Sequence, residues 1–248
     1  MGPAWYQREI EIPAAWKGKR IFLYFERTHW LSSVYVGKEE VSKINYISIP
    51  HNHELTQWLH PGKKELITFC IDNRYQYDTH KWDHAHSEFT QINWNGVLGE
   101  IKLVAVDPVY VDDMQVYPDI KNKSIKVKMT VRNCTEHTAS GKISFHVTGK
   151  DYRLQKEVPV TVTDSITYIE EEMFLGKDIH LWNEFHPNLY TLDCKLTSSV
   201  EGQSYAHEKS TTFGMREVEA GEDHIILNGE PIHLRGTCLL YTSPSPRD

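Results

Sequence analysis

Three sets of residues in this 248-residue chain carry side chains able to do chemistry. The first begins where Asp72-Asn73-Arg74 leaves an apolar strand and runs on to Gly99, carrying Tyr75, Tyr77, Trp82, His84, His86, Asn93, Trp94 and Asn95. Aromatic rings and planar amides at one end of a rigid scaffold suit a sugar, whose hydroxyls need fixed partners and whose C–H face stacks on an indole. His80, His84 and His86 raise a metal site instead, although no cysteine or ordered carboxylate set accompanies them. A stretch this rich in aromatics also packs on itself or on a neighbouring domain. All three readings stand at this level.

The second set is Glu170-Glu171-Glu172, since glycoside hydrolysis uses paired carboxylates. Alternate residues of a strand share a face, so only Glu170 and Glu172 could cooperate. They lie beside lysine-rich strands in what reads as a packing domain without a cleft, and a solvated charged face is expected. The third is Asn183-Glu184, a dipeptide that carries the acid/base glutamate in many retaining glycosidases. Here it precedes Phe185-His186-Pro187-Asn188-Leu189-Tyr190. No catalytic residue, metal ligand or cofactor is assigned.

The elements that must hold these residues are strands. Arg20 to Glu26 places Ile21, Leu23 and Phe25 on one face and Phe22 and Tyr24 on the other, as in an inner strand covered on both sides. Trp5 to Pro13, Ser33 to Val36, Leu66 to Asp72 and Ile101 to Val106 complete a β-sandwich, read as a jelly roll over residues 1–107. Beyond Pro108 the alternation of Ile125, Val127, Met129 and Val131 with Lys126, Lys128, Thr130 and Arg132 marks a half-buried strand. Ile143, Phe145 and Val147 follow a polar turn at Thr138 to Gly141. Val158, Val160 and Val162 repeat the pattern, Ile169 to Phe174 does so weakly, and Tyr190, Leu192, Cys194 and Leu196 do so cleanly. About seven strands over residues 108–213 predict an immunoglobulin-like sandwich. Next comes a hairpin, Ile225 to Leu227 and Ile232 to Leu234 around an Asn228-Gly229 turn.

Bulk properties set the class. A chain 40% hydrophobic and 25% charged is that of a soluble globular protein, and a formal charge of -7 argues against a nucleic-acid surface. No stretch is long and apolar enough to span a bilayer, and no basic segment with an apolar core opens the chain. Cytoplasmic and periplasmic or secreted locations both stay open. Cys70 and Cys194, in alternating strands, are expected to be buried free thiols, with a Cys134–Cys194 bridge left open.

Several motifs, taken in order, resemble glycoside hydrolase family 2, the β-galactosidase and β-glucuronidase group. Trp5-Tyr6-Gln7-Arg8, Trp16-Lys17-Gly18-Lys19-Arg20, Val34-Tyr35-Val36-Gly37-Lys38, Asp72-Asn73-Arg74 and Asn93-Trp94-Asn95-Gly96-Val97-Leu98-Gly99 are similar to its sugar-binding N-terminal domain. Trp182 through Pro187-Asn188-Leu189-Tyr190 resembles a turn of its immunoglobulin-like domain, which implies that Glu184 is non-catalytic and that Tyr190 is structural. Phe213-Gly214-Met215-Arg216-Glu217, followed by Ile225 through Gly236, resembles the passage into its catalytic (β/α)8 barrel. Gly37 departs from the pattern, standing where an Asn-Gly turn is usual. Another strand or two also normally precedes a sequence like Trp5-Tyr6-Gln7-Arg8, so the first domain is expected to lack its opening strands.

The resemblance implies an all-β pair of sandwiches: a sugar-binding jelly roll (1–107), an immunoglobulin-like domain (108–213) and the first hairpin of a barrel (214–237). It also implies that Asp72, Asn73, Trp94 and Asn95 form or support a sugar-facing rim. Arg235 corresponds to an arginine at the barrel entrance. The implied parent is a retaining hydrolase of terminal β-glycosidic bonds, β-galactosidase-like, in which one glutamic acid protonates the leaving oxygen and a second attacks the anomeric carbon. Both glutamates belong to the barrel, so this chain is expected to be inactive. Its implied partners are a β-glycoside or oligosaccharide and the barrel of the intact chain, with room for a homo-oligomer and none for nucleic acid or a membrane. Residues 238–248, ending in a Ser-Pro-Ser-Pro run, fit neither strand nor helix and read as a non-native tail. The alternative reading is a free-standing carbohydrate-binding or structural module.

Overall fold

A computed structural model of the chain describes residues 2–47, 49–74 and 94–234. It divides into two units, Met1–Pro108 and Val109–Asp248. Both are built from strands, and no described helix is long and apolar enough to cross a membrane.

In the first unit β1 (Pro3–Glu11), β6 (Lys64–Asp72), β3 (Leu31–Val36) and β4 (Glu39–Asn45) pair in that order. A second sheet runs β5 (His51–Glu54), β2 (Arg20–His29), β7 (Gly96–Val106). The strand apolar on both faces, β2, is central as expected. Ile21, Leu23 and Phe25 enter a core with Ile12, Val34, Leu55, Ile67 and Ile71, while on the other face Lys102 lies over the Tyr24 ring at 4.9 Å. Each fully buried aliphatic or aromatic side chain contributes about 1.5–3 kcal/mol, so this inward row dominates the unit's cohesion.

One strand, β5, escaped the sequence pattern because its inward residues are polar. His51 and His53 of β5 are fully buried, yet both are hydrogen-bonded. The Ser32 hydroxyl lies 2.6 Å from His51 Nδ1 and 2.8 Å from His53 Nε2, and Ser42 lies 2.8 Å from His53 Nδ1. The Tyr46 carbonyl, 2.9 Å from His51 Nε2, can only accept, which puts the His51 proton on that nitrogen. Ser32 and Ser42 belong to one sheet and the histidines to the other, so the network ties the two layers. Burial, then the neighbouring His51, pushes the His53 pKa down to about 3, and burial lowers that of His51. Both imidazoles are neutral at pH 7.

The second unit is a seven-stranded sandwich. One sheet runs β11 (Tyr152–Val162), β10 (Ala139–Gly149), β13 (Tyr190–Val200), β14 (Gln203–Phe213); the other runs β12 (Ile166–Phe174), β9 (Ser124–Asn133), β8 (Val109–Asp119). The fourth strand joins the third rather than the fifth, within an immunoglobulin-like plan of two antiparallel sheets. Ile125, Val127, Met129 and Val131 meet Ile143, Phe145, Val147, Leu192 and Leu196 in one core. The tyrosine at the start of β13 closes one end: Tyr190 accepts from the His180 amide at 2.7 Å, as in the tyrosine corner of such folds.

Three local expectations change. Ala139-Ser140-Gly141 belong to β10 and not to a turn. A Cβ on Gly141 would lie 2.0 Å from the Thr197 carbonyl oxygen, so glycine is what lets β10 approach β13 there. Cys134 is exposed while Cys194 and Cys70 are buried, and no bridge joins 134 to 194. The hairpin returns through β17 (Glu230–Ile232), directly after Asn228 (φ 54°) and Gly229 (φ 87°), rather than from Ile232 onward. Its first arm, β16 (Ile225–Leu227), also pairs with β15 (Val218–Ala220), an unforeseen third strand.

Candidate functional site

The rim proposed from the sequence lies where β6 ends and β7 begins. Asp72 is 7% exposed and its carboxylate is occupied: Arg74 donates from Nε at 3.0 Å and from Nη2 at 2.6 Å, and its backbone amide from 2.9 Å. Hydrogen bonding from Arg74 holds Asp72 below the usual carboxylate range, so it is an anion and not an acid catalyst. Asn73 is 5% exposed and likewise spent within the fold, accepting from the Gly2 amide at 2.9 Å and donating to the Trp94 carbonyl at 3.0 Å. Asn95 is exposed and donates through its side-chain amide to the Gly2 carbonyl. The structure brings all four predicted residues together. Asp72 and Asn73 brace the site from beneath, and Trp94 and Asn95 reach its surface.

Two further residues complete the brace and were missed in the sequence. His29, 3% exposed, places Nδ1 3.0 Å from the Trp94 carbonyl, which therefore accepts from both His29 and Asn73. The His29 ring lies 5.0 Å from that of Trp94 and 5.4 Å from that of Trp30, to which it is joined by a cis peptide bond. Trp30 Nε1 donates to the Arg74 carbonyl at 2.8 Å. The available signal was a His-Trp pair at the end of the most apolar strand, on the edge where Asp72-Asn73-Arg74 also ends. Gly96 opens β7 at φ 102°, and a Cβ there would sit 2.6 Å from the Tyr6 hydroxyl. Tyr75, Tyr77, His80, Trp82, His84, His86 and Asn93 lie outside the described residues, as does Arg235.

The carboxylates singled out for chemistry are engaged elsewhere. Glu170 pairs with Lys126 at 2.8 Å and Lys128 at 3.6 Å, and the hydrogen bond from Lys126 lowers its pKa, the reverse of what a general acid needs. Glu171 faces the other way, to Lys156 at 2.9 Å, and Glu172 accepts from Ser124 at 3.1 Å. Glu184 sits in an exposed loop closed by Asn183, whose Oδ1 accepts from the Phe185 and His186 amides at 3.0 and 2.7 Å. No group of three or more His, Cys, Asp or Glu side chains among the described residues is placed to hold a metal.

At the far end of the second unit the exit segment is clamped. The Arg216 guanidinium lies 4.6 Å over the Trp182 ring, and the Trp182 amide donates to the Met215 carbonyl at 2.9 Å. Asn228 Nδ2 donates to the Trp182 carbonyl at 2.9 Å, and its Oδ1 accepts from the Glu217 amide at 2.9 Å.

The chain thus carries two β-sandwiches, the first with the Trp94–Asn95 rim. The fold matches a glycosyl hydrolase family 2 member from Bacteroides cellulosilyticus at TM-score 0.74 and 19% identity, over 94% of this chain and 29% of that one. It also matches a Bacteroides uniformis β-glucuronidase at TM-score 0.77 and 18% identity, over 96% and 29%.

Residues 109–216 match the model of the glycosyl hydrolases family 2. It is 24% identical over 244 residues to a β-galactosidase of Thermoanaerobacter pseudethanolicus, covering 97% of this chain and 32% of the relative. It is 22% identical over 266 residues to the β-glucuronidase of Sus scrofa, covering 95% and 38%. The chain thus spans between a third and two-fifths of these two relatives.

Proposed function

We propose that the chain is the non-catalytic N-terminal part of a retaining glycoside hydrolase that releases terminal β-linked sugars, most simply galactose. Residues 1–107 serve as the sugar-facing jelly roll, 108–213 as an immunoglobulin-like spacer, and 214–237 as the lead into a catalytic barrel. On this reading Trp94 and Asn95 lie at the barrel's mouth and Asp72 and Asn73 hold them there. The barrel and a β-glycoside are the partners.

The observation that carries the proposal is the alignment of 97% of this chain with only 32% of a β-galactosidase. The engagement of Glu170, Glu171 and Glu172 with lysines and a serine supports it, because paired catalytic carboxylates must be free to meet the substrate. The test is to express the reading frame that extends beyond residue 237 and assay aryl β-galactoside, β-glucuronide and β-mannoside. Turnover of the galactoside by the longer protein, and none by the 248-residue chain, is expected. Turnover by the short chain, surviving removal of host glycosidases, overturns the non-catalytic assignment. Preference for the glucuronide overturns the galactoside choice alone.

A further inference from the structure

The second unit was read from its sequence as lacking a cleft, yet the outer face of β8, β9 and β12 carries a groove. Its volume is about 230 Å³, and its polar and aromatic walls are Asp113, Gln115, Lys128, Thr130, Tyr168 and Glu170. Tyr168 stands in mid-strand with 80% of its surface exposed. The strand partners explain what surrounds it. Tyr168 pairs with Thr130, and Thr130 with Asp113; in the next row Glu170 pairs with Lys128, and Lys128 with Gln115. Neighbouring strands lie about 4.8 Å apart, so these polar groups sit beside the tyrosine ring at short, fixed steps.

A β-bulge creates the arrangement. The register of β8 against β9 shifts between Val111 and Asp113, leaving Asp112 as the extra residue. Asp112 turns to Arg132, which donates at 2.6 Å, and Asp113 faces the groove. The walls are held by one another. Gln115 donates to Asp113 at 2.8 Å and accepts from the Tyr117 hydroxyl, while Lys128 lies 3.6 Å from Glu170 and 5.4 Å over the Tyr117 ring. Such mutual bonding fixes rotamers before a ligand arrives, which reduces the entropy lost on binding.

We propose that this groove binds a neutral β-linked oligosaccharide, one pyranose stacking on Tyr168 while its hydroxyls meet Thr130, Asp113, Gln115 and Lys128. The chemistry selects this occupant. An exposed ring supplies a flat apolar platform, and the walls offer acceptors (Asp113, Glu170) and donors (Lys128, the Gln115 amide) in alternation, as a polyol requires. A phosphate or uronate would face two carboxylates against the single ammonium of the groove, and an apolar peptide would shut the charged Asp113, Lys128 and Glu170 side chains off from water. The volume is below that of a drug-sized pocket and suits one sugar ring, with the chain continuing across the open sheet.

The choice of a sugar rests on the glycosidase reading, but the two fail separately. The probe is β-1,4-linked galactotetraose, titrated into the 248-residue chain by amide NMR to roughly 20 mM, a range suited to millimolar affinity. Shifts at Tyr168, Thr130 and Lys128 are expected. Tyr168→Ala should weaken binding roughly tenfold and Tyr168→Phe by less than about twofold, because stacking needs the ring and not the hydroxyl. An exposed position leaves the fold intact in both variants, which circular dichroism checks. Absence of shifts, shifts confined to the Trp94 rim, or an affinity indifferent to Tyr168→Ala overturns the proposal. So does self-association abolished by Tyr168→Ala without any response to sugar, which would make the face a contact between copies. Hydrolysis of a small aryl β-glycoside by the longer protein reports on the glycosidase reading alone.

Discussion

The side-chain amide of Asn228 donates to the carbonyl of Trp182, 46 residues earlier, at 2.9 Å. Asn228 also occupies the left-handed region at φ 54°, exchanges hydrogen bonds with the Glu217 backbone, and opens the tight turn of the last hairpin. Asparagine tolerates that backbone and supplies both bonds; alanine does neither. Asn228→Ala should therefore cost about 2–3 kcal/mol of local stability, from two lost hydrogen bonds and an unfavourable φ. Hydrogen exchange at the Glu217 and Ile226 amides should accelerate roughly a hundredfold while β10 and β13 are unaffected. Unchanged protection at Glu217 would refute the clamp.

The neutral His51–His53 pair gives the first unit a pH dependence of known sign. An unfolded histidine takes up a proton below about pH 6.5, whereas His53 in the folded unit resists until about pH 3 and His51 is shifted the same way. The stability these residues permit is thus intact above pH 6.5 and lost as pH falls, by about 1.4 kcal/mol per pH unit for His53 alone. Six of the seven tryptophans precede Pro108, so fluorescence-detected urea unfolding between pH 7.5 and 5 reports mainly on this unit. A flat profile there would count against two buried neutral imidazoles.

Asp72 adds a pH dependence of the same sign in a more acid window. Its depressed pKa means that its contribution is present above about pH 4 and disappears as the carboxyl protonates in more acid solution. Asp72→Asn keeps the shape but loses the charge-assisted bonds to Arg74. Because Arg74 is largely exposed, the expected loss is only about 1 kcal/mol at pH 7. The difference from the parent should close below pH 4. A gap that persists at pH 3 would mean the Arg74 pairing is not its source.

Gly141 tests the core of the second unit. An alanine methyl there would overlap the Thr197 carbonyl and lie 2.7 Å from Ser198 Cα, both backbone atoms that cannot rotate away. Gly141→Ala should cost about 3 kcal/mol, the upper range for overpacking. Calorimetry should show the lower Tm, while Gly202→Ala, in open space at a positive φ of 87°, should cost only about 1 kcal/mol. Equal losses would show that backbone conformation and not close approach governs Gly141.

Strands with an apolar inward row were legible from their alternation, as β2, β9, β10 and β13 show. β5 was not, because its inward groups are histidines that satisfy burial by hydrogen bonding, which leaves no hydrophobic period. The four rim residues could be picked from motifs, but not their division into brace and surface. That Asn73 spends its amide on Trp94, and that His29 shares the same carbonyl, depends on contacts 21 and 65 residues apart. The groove at Tyr168 was hidden for a related reason: strand alternation alone places Asp112 and Asp113 on opposite faces, and only the bulge opposite Thr130 alters that.

The state of the thiols has a practical consequence. Burial drives the Cys194 pKa up to about 12 and also raises that of Cys70, so neither supplies thiolate near neutrality. Cys134 is the exposed sulfur among the described residues. A thiol reagent added to the folded protein should therefore spare Cys70 and Cys194 until their sandwiches open, so the labelling of these two sulfurs times the opening of each unit separately.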